Sequence, residues 1–133
     1  MSNHIKILLV DDDTDDQLFF MDAVRALDPT LECTIANNGV EALDHLRKVP
    51  PPPTLIFLDL NMPLMNGFEC LAQLKKTTEY KNIPVIIFTT SSHPVDLERT
   101  MLMGAVMFVT KPPDFNILKD KISDIIHTYA FAG

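Results

Sequence analysis

Four short apolar runs in this chain each end at residues that suit metal or phosphoryl chemistry. Runs 5–10, 54–58, 85–88 and 106–109 stop respectively at Asp11-Asp12, Asp59, Thr89 and Lys111. If the runs are parallel strands, these side chains meet at one edge of a sheet. Crowded carboxylates repel one another unless a cation neutralises them, and oxygen ligands beside a phosphate suit Mg²⁺. The spacing therefore predicts a site for Mg²⁺ and a phosphoryl group.

The elements that must position these residues alternate along the chain. Branched apolar residues fill the four runs with little alternation, which is typical of parallel strands covered on both faces. A weaker, more alternating run at 32–36 suits an edge strand. Five helical patterns separate the runs, and capping signals open them at Thr14, Asn38, Asn66, Ser92-His93-Pro94 and Asp114. The pattern predicts one α/β domain over residues 1–133, with no separate output domain.

Strand order decides whether the polar ends meet. Right-handed crossovers leave few topologies, and we expect a doubly wound parallel sheet in the order 2-1-3-4-5, flanked by five helices. The switch point then falls between strands one and three, which places Asp11 and Asp12 beside Asp59. A carboxylate on a metal can act as a nucleophile and form an acyl phosphate. A lysine and a threonine hydroxyl can stabilise the phosphoryl oxygens.

Composition excludes several classes of function. The 133 residues carry a formal net charge of −7, which argues against a nucleic-acid surface. The first apolar run is too short for a signal peptide, and no run approaches the length of a membrane span. Cys33 and Cys70 have no metal-ligand spacing and are expected to be free, buried thiols. We expect a cytoplasmic protein without membrane or nucleic-acid partners.

The motifs together resemble a known family. They are Val10-Asp11-Asp12, Asp59-Leu60-Asn61-Met62-Pro63 followed by Asn66-Gly67, then Thr89, Phe108 and Lys111-Pro112. In this order and spacing the chain resembles the receiver domain of two-component response regulators, the CheY-like family, which has a flavodoxin-like fold. Its length and the stretch 89–92 are also similar to stand-alone members that include regulators of bacterial phytochromes.

The resemblance implies a role for each matching residue. Asp59 would accept the phosphoryl group, and Lys111 would contact first Asp59 and then that group. Asp12, Asp59 and the backbone carbonyl of Asn61 would hold Mg²⁺, with Asp11 reaching the ion through water. Thr89 and Phe108 would form the switch that responds to phosphorylation. The Lys111-Pro112 bond is often cis in this family.

The resemblance also implies partners. The phosphoryl donor would be a sensor histidine kinase or a histidine phosphotransfer protein, and the output would be contact with a downstream protein. A homodimer through the face of helix 4, strand 5 and helix 5 is compatible with the family. Such a protein is not an enzyme in the ordinary sense, since it catalyses only its own phosphorylation and dephosphorylation.

Two rival functions remain open at this point. One is a small Mg²⁺-dependent phosphatase of the haloacid dehalogenase type, which also uses an aspartate nucleophile at a strand end. The other is a receiver fold that serves as a phosphorylation-independent adaptor. Asp13 is expected to be a solvated flank of the site. Asp15 and Asp16 are expected only to complement the dipole of the first helix.

Overall fold

The computed structural model describes residues 4–130 as alternating strands and helices. Every expected element is present: β1 Lys6–Val10, α1 Thr14–Leu27, β2 Glu32–Ala36, α2 Gly39–Lys48, β3 Leu55–Leu58, α3 Gly67–Lys76, β4 Val85–Thr89, α4 Pro94–Leu102, β5 Met107–Thr110 and α5 Phe115–Ile125. A short π-helical turn, Ile126–Ala130, continues α5. None of the helices within residues 4–130 is long and apolar enough to cross a membrane.

The strands form one parallel sheet in the order β2-β1-β3-β4-β5, which confirms the predicted topology. The strand β1 pairs with both β2 and β3. Val10 of β1 lies opposite Ala36 of β2 and Leu58 of β3. All four residues of β3 are buried, whereas most of β2 is half-buried, as expected for an edge strand. The carboxyl ends of β1 and β3 therefore reach the same edge of the sheet.

Two apolar layers cover the sheet. On one face, α1 and α5 pack over a group of aromatic side chains in which Phe20 contacts both Phe57 and Phe88 edge-to-face. On the other face, α2 and α3 contribute Leu46, Leu71 and Leu74. Both clusters draw on β1 and β3, so the strands that carry the site belong to the centre of the core.

The caps fix where the helices begin. Asn38, Asn66 and Asp114 cap α2, α3 and α5 as predicted, each accepting a hydrogen bond from a backbone N–H in the first turn. The expected Thr14 cap of α1 is wrong. Asp13 caps this helix instead, because its carboxylate accepts from Asp16 N at 2.9 Å.

Two further expectations can be compared with the structure. The cis peptide bond among residues 4–130 is Pro50–Pro51, so the Lys111–Pro112 bond is trans, contrary to the family tendency. Cys33 and Cys70 are free as predicted, with Cys70 buried and Cys33 half-buried. Burial raises the pKa of both thiols to about 12.

Candidate metal and phosphoryl site

The site lies where β1 and β3 end side by side. Asp11 donates its backbone N–H to the carbonyl of Ala36, and Asp59 donates to the carbonyl of Val10 at 2.9 Å. These bonds extend the sheet by one residue beyond each strand, so both aspartates are held by backbone pairing. Asp11 is fully buried, Asp59 is 7% exposed, and Asp12 points towards solvent.

The Asp59 carboxylate is held from two sides. Its Oδ1 accepts a hydrogen bond from Leu60 N at 2.8 Å, and its Oδ2 accepts from Lys111 Nζ at 3.2 Å. Gly67, the first residue of α3, packs directly beneath this turn and donates to the carbonyl of Leu60 at 2.9 Å. A Cβ on Gly67 would lie 2.1 Å from the carbonyl oxygen of Asp59. The close approach explains why this position requires glycine.

Lys111 lies at the centre of three carboxylates. Its Nζ is 2.8 Å from Asp11 Oδ2, 2.8 Å from Asp16 Oδ2 and 3.2 Å from Asp59 Oδ2. Burial would lower the pKa of this ammonium, but the contacts with these carboxylates outweigh burial, and the pKa is raised. Lys111 is therefore a fixed positive charge, and its backbone N–H donates to Thr89 O at 2.7 Å.

The geometry suits a divalent cation next to this lysine. Oxygens of Asp11, Asp12 and Asp59 all lie within 4.8 Å of one another. Asp11 Oδ2 is fully buried, and its close contact is the ion pair with Lys111 Nζ at 2.8 Å. Burial raises the pKa of Asp11, and the ion pair with Lys111 offsets this only in part. A hard cation would relieve the repulsion among these carboxylates.

The predicted switch residues, Thr89 and Phe108, lie on the neighbouring strands β4 and β5. Thr89 is fully buried at the end of β4, and its Oγ1 accepts from Ser91 N at 3.3 Å. Phe108 is half-buried and packs against the core cluster on the α2 and α3 side. Asn61 is exposed in the turn after β3. The structure thus brings the hydroxyl-bearing strand end next to the acidic cluster.

Asp16 is a residue that sequence reasoning missed. It was expected only to complement the helix dipole, yet its Oδ2 accepts a hydrogen bond from Lys111 Nζ at 2.8 Å. The cause is the position of the cap: with Asp13 as the cap, Asp16 is the third residue of α1, on the turn that faces the strand ends. The signal in the sequence was the run of acidic residues itself. A run of this kind left open which carboxylate would turn inwards.

These contacts define what the arrangement can do chemically. A nearly buried carboxylate, an adjacent cluster that can hold a divalent cation, a fixed ammonium and a hydroxyl share one edge of the sheet. Such a set can neutralise the oxygens of a phosphoryl group while a carboxylate oxygen attacks the phosphorus.

Comparisons with known proteins agree with this geometry. A family model described as "Response regulator receiver domain" matches residues 7–123. A relative, the "Chemotaxis protein CheY homolog" of Campylobacter jejuni, is 32% identical over 131 residues, which cover 97% of this chain and 98% of that protein.

Solved structures with the same fold include phytochrome regulators. The phosphorylated cyanobacterial phytochrome response regulator RcpA aligns with a TM-score of 0.87 and 28% identity, covering 98% of this chain and 97% of that chain. The Mn²⁺-bound form of the response regulator Rcp1 aligns with a TM-score of 0.83 and 28% identity, covering 97% and 96%. Because the family match spans nearly the whole described chain, this protein belongs to the response regulator receiver domains of two-component signalling.

Proposed function

We propose that this receiver domain takes a phosphoryl group from a phosphohistidine onto Asp59 in a Mg²⁺-dependent reaction. The observation that carries the proposal is the environment of the Asp59 carboxylate. It is nearly buried, lies beside Lys111 Nζ, and shares a compact acidic cluster with Asp11 and Asp12. Lys111 offsets only part of the repulsion among three carboxylates, and a bound cation would offset the rest.

The transfer follows from these contacts. A carboxylate oxygen of Asp59 attacks the phosphorus, the P–N bond of the donor breaks, and its electron pair returns to the imidazole nitrogen. Lys111 exchanges its contact with Asp59 for one with a phosphoryl oxygen. Asp12, Asp59 and the backbone carbonyl of Asn61 would hold a Mg²⁺ ion, which Asp11 would reach through water. The ion would supply further neutralisation of the phosphoryl oxygens.

The response travels through Thr89 and Phe108. In the unphosphorylated domain the Thr89 hydroxyl holds Ser91 N, so a move towards the phosphoryl group would release the start of the loop that leads to α4. Phe108 sits on the neighbouring strand and is only half-buried, which leaves it space to change rotamer. Phosphorylation would shift the balance between two arrangements of the α4, β5 and α5 face.

Partners follow from the same mechanism. A sensor histidine kinase or a histidine phosphotransfer protein would be the donor, and a downstream protein would read the switched face. A second copy of the chain is a further candidate for that face. The similarity to a chemotaxis protein and to phytochrome regulators supports output by protein contact.

Turnover separates this proposal from the phosphatase and adaptor alternatives. With Mg²⁺ and acetyl phosphate, a receiver should hold one phosphoryl group per chain and should not release phosphate from simple phosphate esters. Asp59→Asn should abolish the adduct while the protein stays folded. Sustained ester hydrolysis that Asp11→Asn abolishes would instead identify a phosphatase. A folded wild type that forms no adduct and is not stabilised by millimolar Mg²⁺ would identify an adaptor.

A further inference from the structure

The ammonium of Lys111 is shared by carboxylates from three different elements. Asp11 follows β1, Asp59 follows β3, and Asp16 lies in the first turn of α1. Nζ is as close to Asp16 as to Asp11, at 2.8 Å, and is farther from Asp59, at 3.2 Å. The helix carboxylate therefore holds the lysine at least as closely as the proposed phosphoryl acceptor does.

Asp16 differs from the other two carboxylates in what else it does. Asp11 and Asp59 both belong to the acidic cluster that can hold a cation, whereas Asp16 lies outside that cluster. A bound divalent cation would draw charge from Asp11 and Asp59, and phosphoryl transfer would consume the contact between Lys111 and Asp59. The contact with Asp16 is the one that neither event removes.

The position of Asp16 is fixed by the start of its helix. Its backbone N–H donates to the carboxylate of the Asp13 cap at 2.9 Å, and the side-chain amide of the next residue, Gln17, donates to the carbonyl of Asp11 at 2.6 Å. The helix start is thus tied to the end of β1. Lysine has a long flexible stem, and a fixed acceptor reduces the freedom of its ammonium before the reaction.

We propose that Asp16 is a positioning residue, which holds the Lys111 ammonium beside Asp59 from the α1 side throughout metal binding and phosphoryl transfer. The inference rests on the proposed phosphorylation of Asp59. It adds a carboxylate that acts through Lys111 and does not touch the phosphoryl group itself.

A competing effect makes the test decisive. Asp16 is also a negative charge near the path of an anionic donor, and its removal on that ground alone would speed phosphorylation. The experiment therefore measures phosphorylation by acetyl phosphate for Asp16→Ala and Asp16→Asn, each in the wild type and in a Lys111→Met background. Asp15→Ala is the matched control, since Asp15 is exposed on the same turn and is not among the carboxylates that contact Lys111.

We expect a loss that depends on Lys111. Asp16→Ala should lower the rate constant at saturating donor about fivefold, equivalent to about 1 kcal/mol, without raising the half-saturating donor concentration. Asp16→Asn should lower this rate constant less, because the amide oxygen of the asparagine can still accept a hydrogen bond from Lys111. In the Lys111→Met background Asp16→Ala should have no further effect, and Asp15→Ala should behave like the wild type.

Two results would overturn the inference. One is a phosphorylation rate in Asp16→Ala that equals or exceeds the wild-type rate. The other is a loss of rate from Asp16→Ala that is the same whether residue 111 is Lys or Met. If wild-type Asp59 takes no phosphoryl group at all, the proposed function fails, and Mg²⁺ titration of the same proteins decides the positioning role. Without Asp16, Lys111 should settle on Asp11 and Asp59 and compete with Mg²⁺. The half-saturating Mg²⁺ concentration should then rise several-fold more than in Asp15→Ala, and only where Lys111 is present.

Discussion

Replacing Gly67 with alanine should displace the turn that presents Asp59. A Cβ at this position would lie 2.1 Å from the carbonyl oxygen of Asp59 and 2.7 Å from the Cα of Leu60. Both atoms belong to backbone that leaves the buried strand β3, so neither can rotate away. Restoring ordinary van der Waals contact requires a shift of about 1.3 Å between α3 and this turn.

The cost can be worked out from these contacts. Overpacking costs about 1–3 kcal/mol, and a backbone obstacle places Gly67→Ala at the upper end of that range. Weakening the hydrogen bond from Gly67 N to Leu60 O adds about 1 kcal/mol. Alanine also restricts the unfolded chain more than glycine does, which stabilises the folded protein by somewhat less than 1 kcal/mol. The net loss should be about 3 kcal/mol, or a fall of about 10 °C in Tm for a domain of this size.

Gly39→Ala is the matched control. Gly39 is also the first residue of its helix and also follows an asparagine cap, but the atoms within 3 Å of its added Cβ all belong to the Met65 side chain. The Cγ and Sδ of Met65 can move by a change of rotamer, whereas its Cβ, at 2.9 Å, must shift with the backbone. This variant should therefore lose about 1–2 kcal/mol, less than Gly67→Ala. Urea unfolding of both variants measures the difference.

Mg²⁺ provides the second measurement on Gly67→Ala. The shifted turn carries Asp59, so millimolar Mg²⁺ should raise the Tm of this variant less than that of the wild type or of Gly39→Ala. Two results would refute the reasoning from the backbone clash. One is a free energy of unfolding for Gly67→Ala within about 0.5 kcal/mol of the wild-type value, and the other is a Gly39→Ala protein that is less stable than Gly67→Ala.

Three further predictions follow from the charges of the site and from the burial of the two cysteines. Asp12→Asn should raise the Tm in metal-free buffer, because it relieves carboxylate repulsion, and should abolish the rise caused by Mg²⁺; thermal scans with chelator and with Mg²⁺ measure both. Because the pKa of Asp11 is raised, the stability due to its protonated form is present below about pH 4 and is lost as the pH rises through that pKa. In metal-free buffer, the stability of Asp11→Asn relative to the wild type, measured by urea unfolding, should therefore increase as the pH rises above about 4. A difference that does not change with pH would contradict the assigned cause. Cys33 and Cys70, with thiol pKa values of about 12, should react with a thiol reagent at pH 8 about a thousandfold more slowly than in the unfolded chain, as absorbance kinetics would show.

Much of the fold could be predicted because its signals are local and agree with one another. Uninterrupted apolar runs indicated buried parallel strands, and asparagine and aspartate caps placed three helix starts correctly at Asn38, Asn66 and Asp114. The same local agreement brought Asp11, Asp59 and Lys111 to one edge, since strand order alone decides which strand ends are neighbours.

The parts that could not be predicted depend on choices between similar residues. Five aspartates occur among residues 11–16, and each is chemically able to cap a helix, bind a cation or contact a lysine. Only the three-dimensional direction of the chain after β1 makes Asp13 the cap and turns Asp16 towards Lys111. The Lys111–Pro112 bond is trans, although the family motif favours cis.

The most direct test of the central claim is the mass of the protein after incubation with Mg²⁺ and acetyl phosphate. One added phosphoryl group should appear in the wild type, should be lost in mild base, should map to the peptide that contains Asp59, and should be absent in Asp59→Asn. A folded, Mg²⁺-binding wild type that gains no phosphoryl group, or an adduct that persists in Asp59→Asn, would contradict phosphoryl transfer to Asp59.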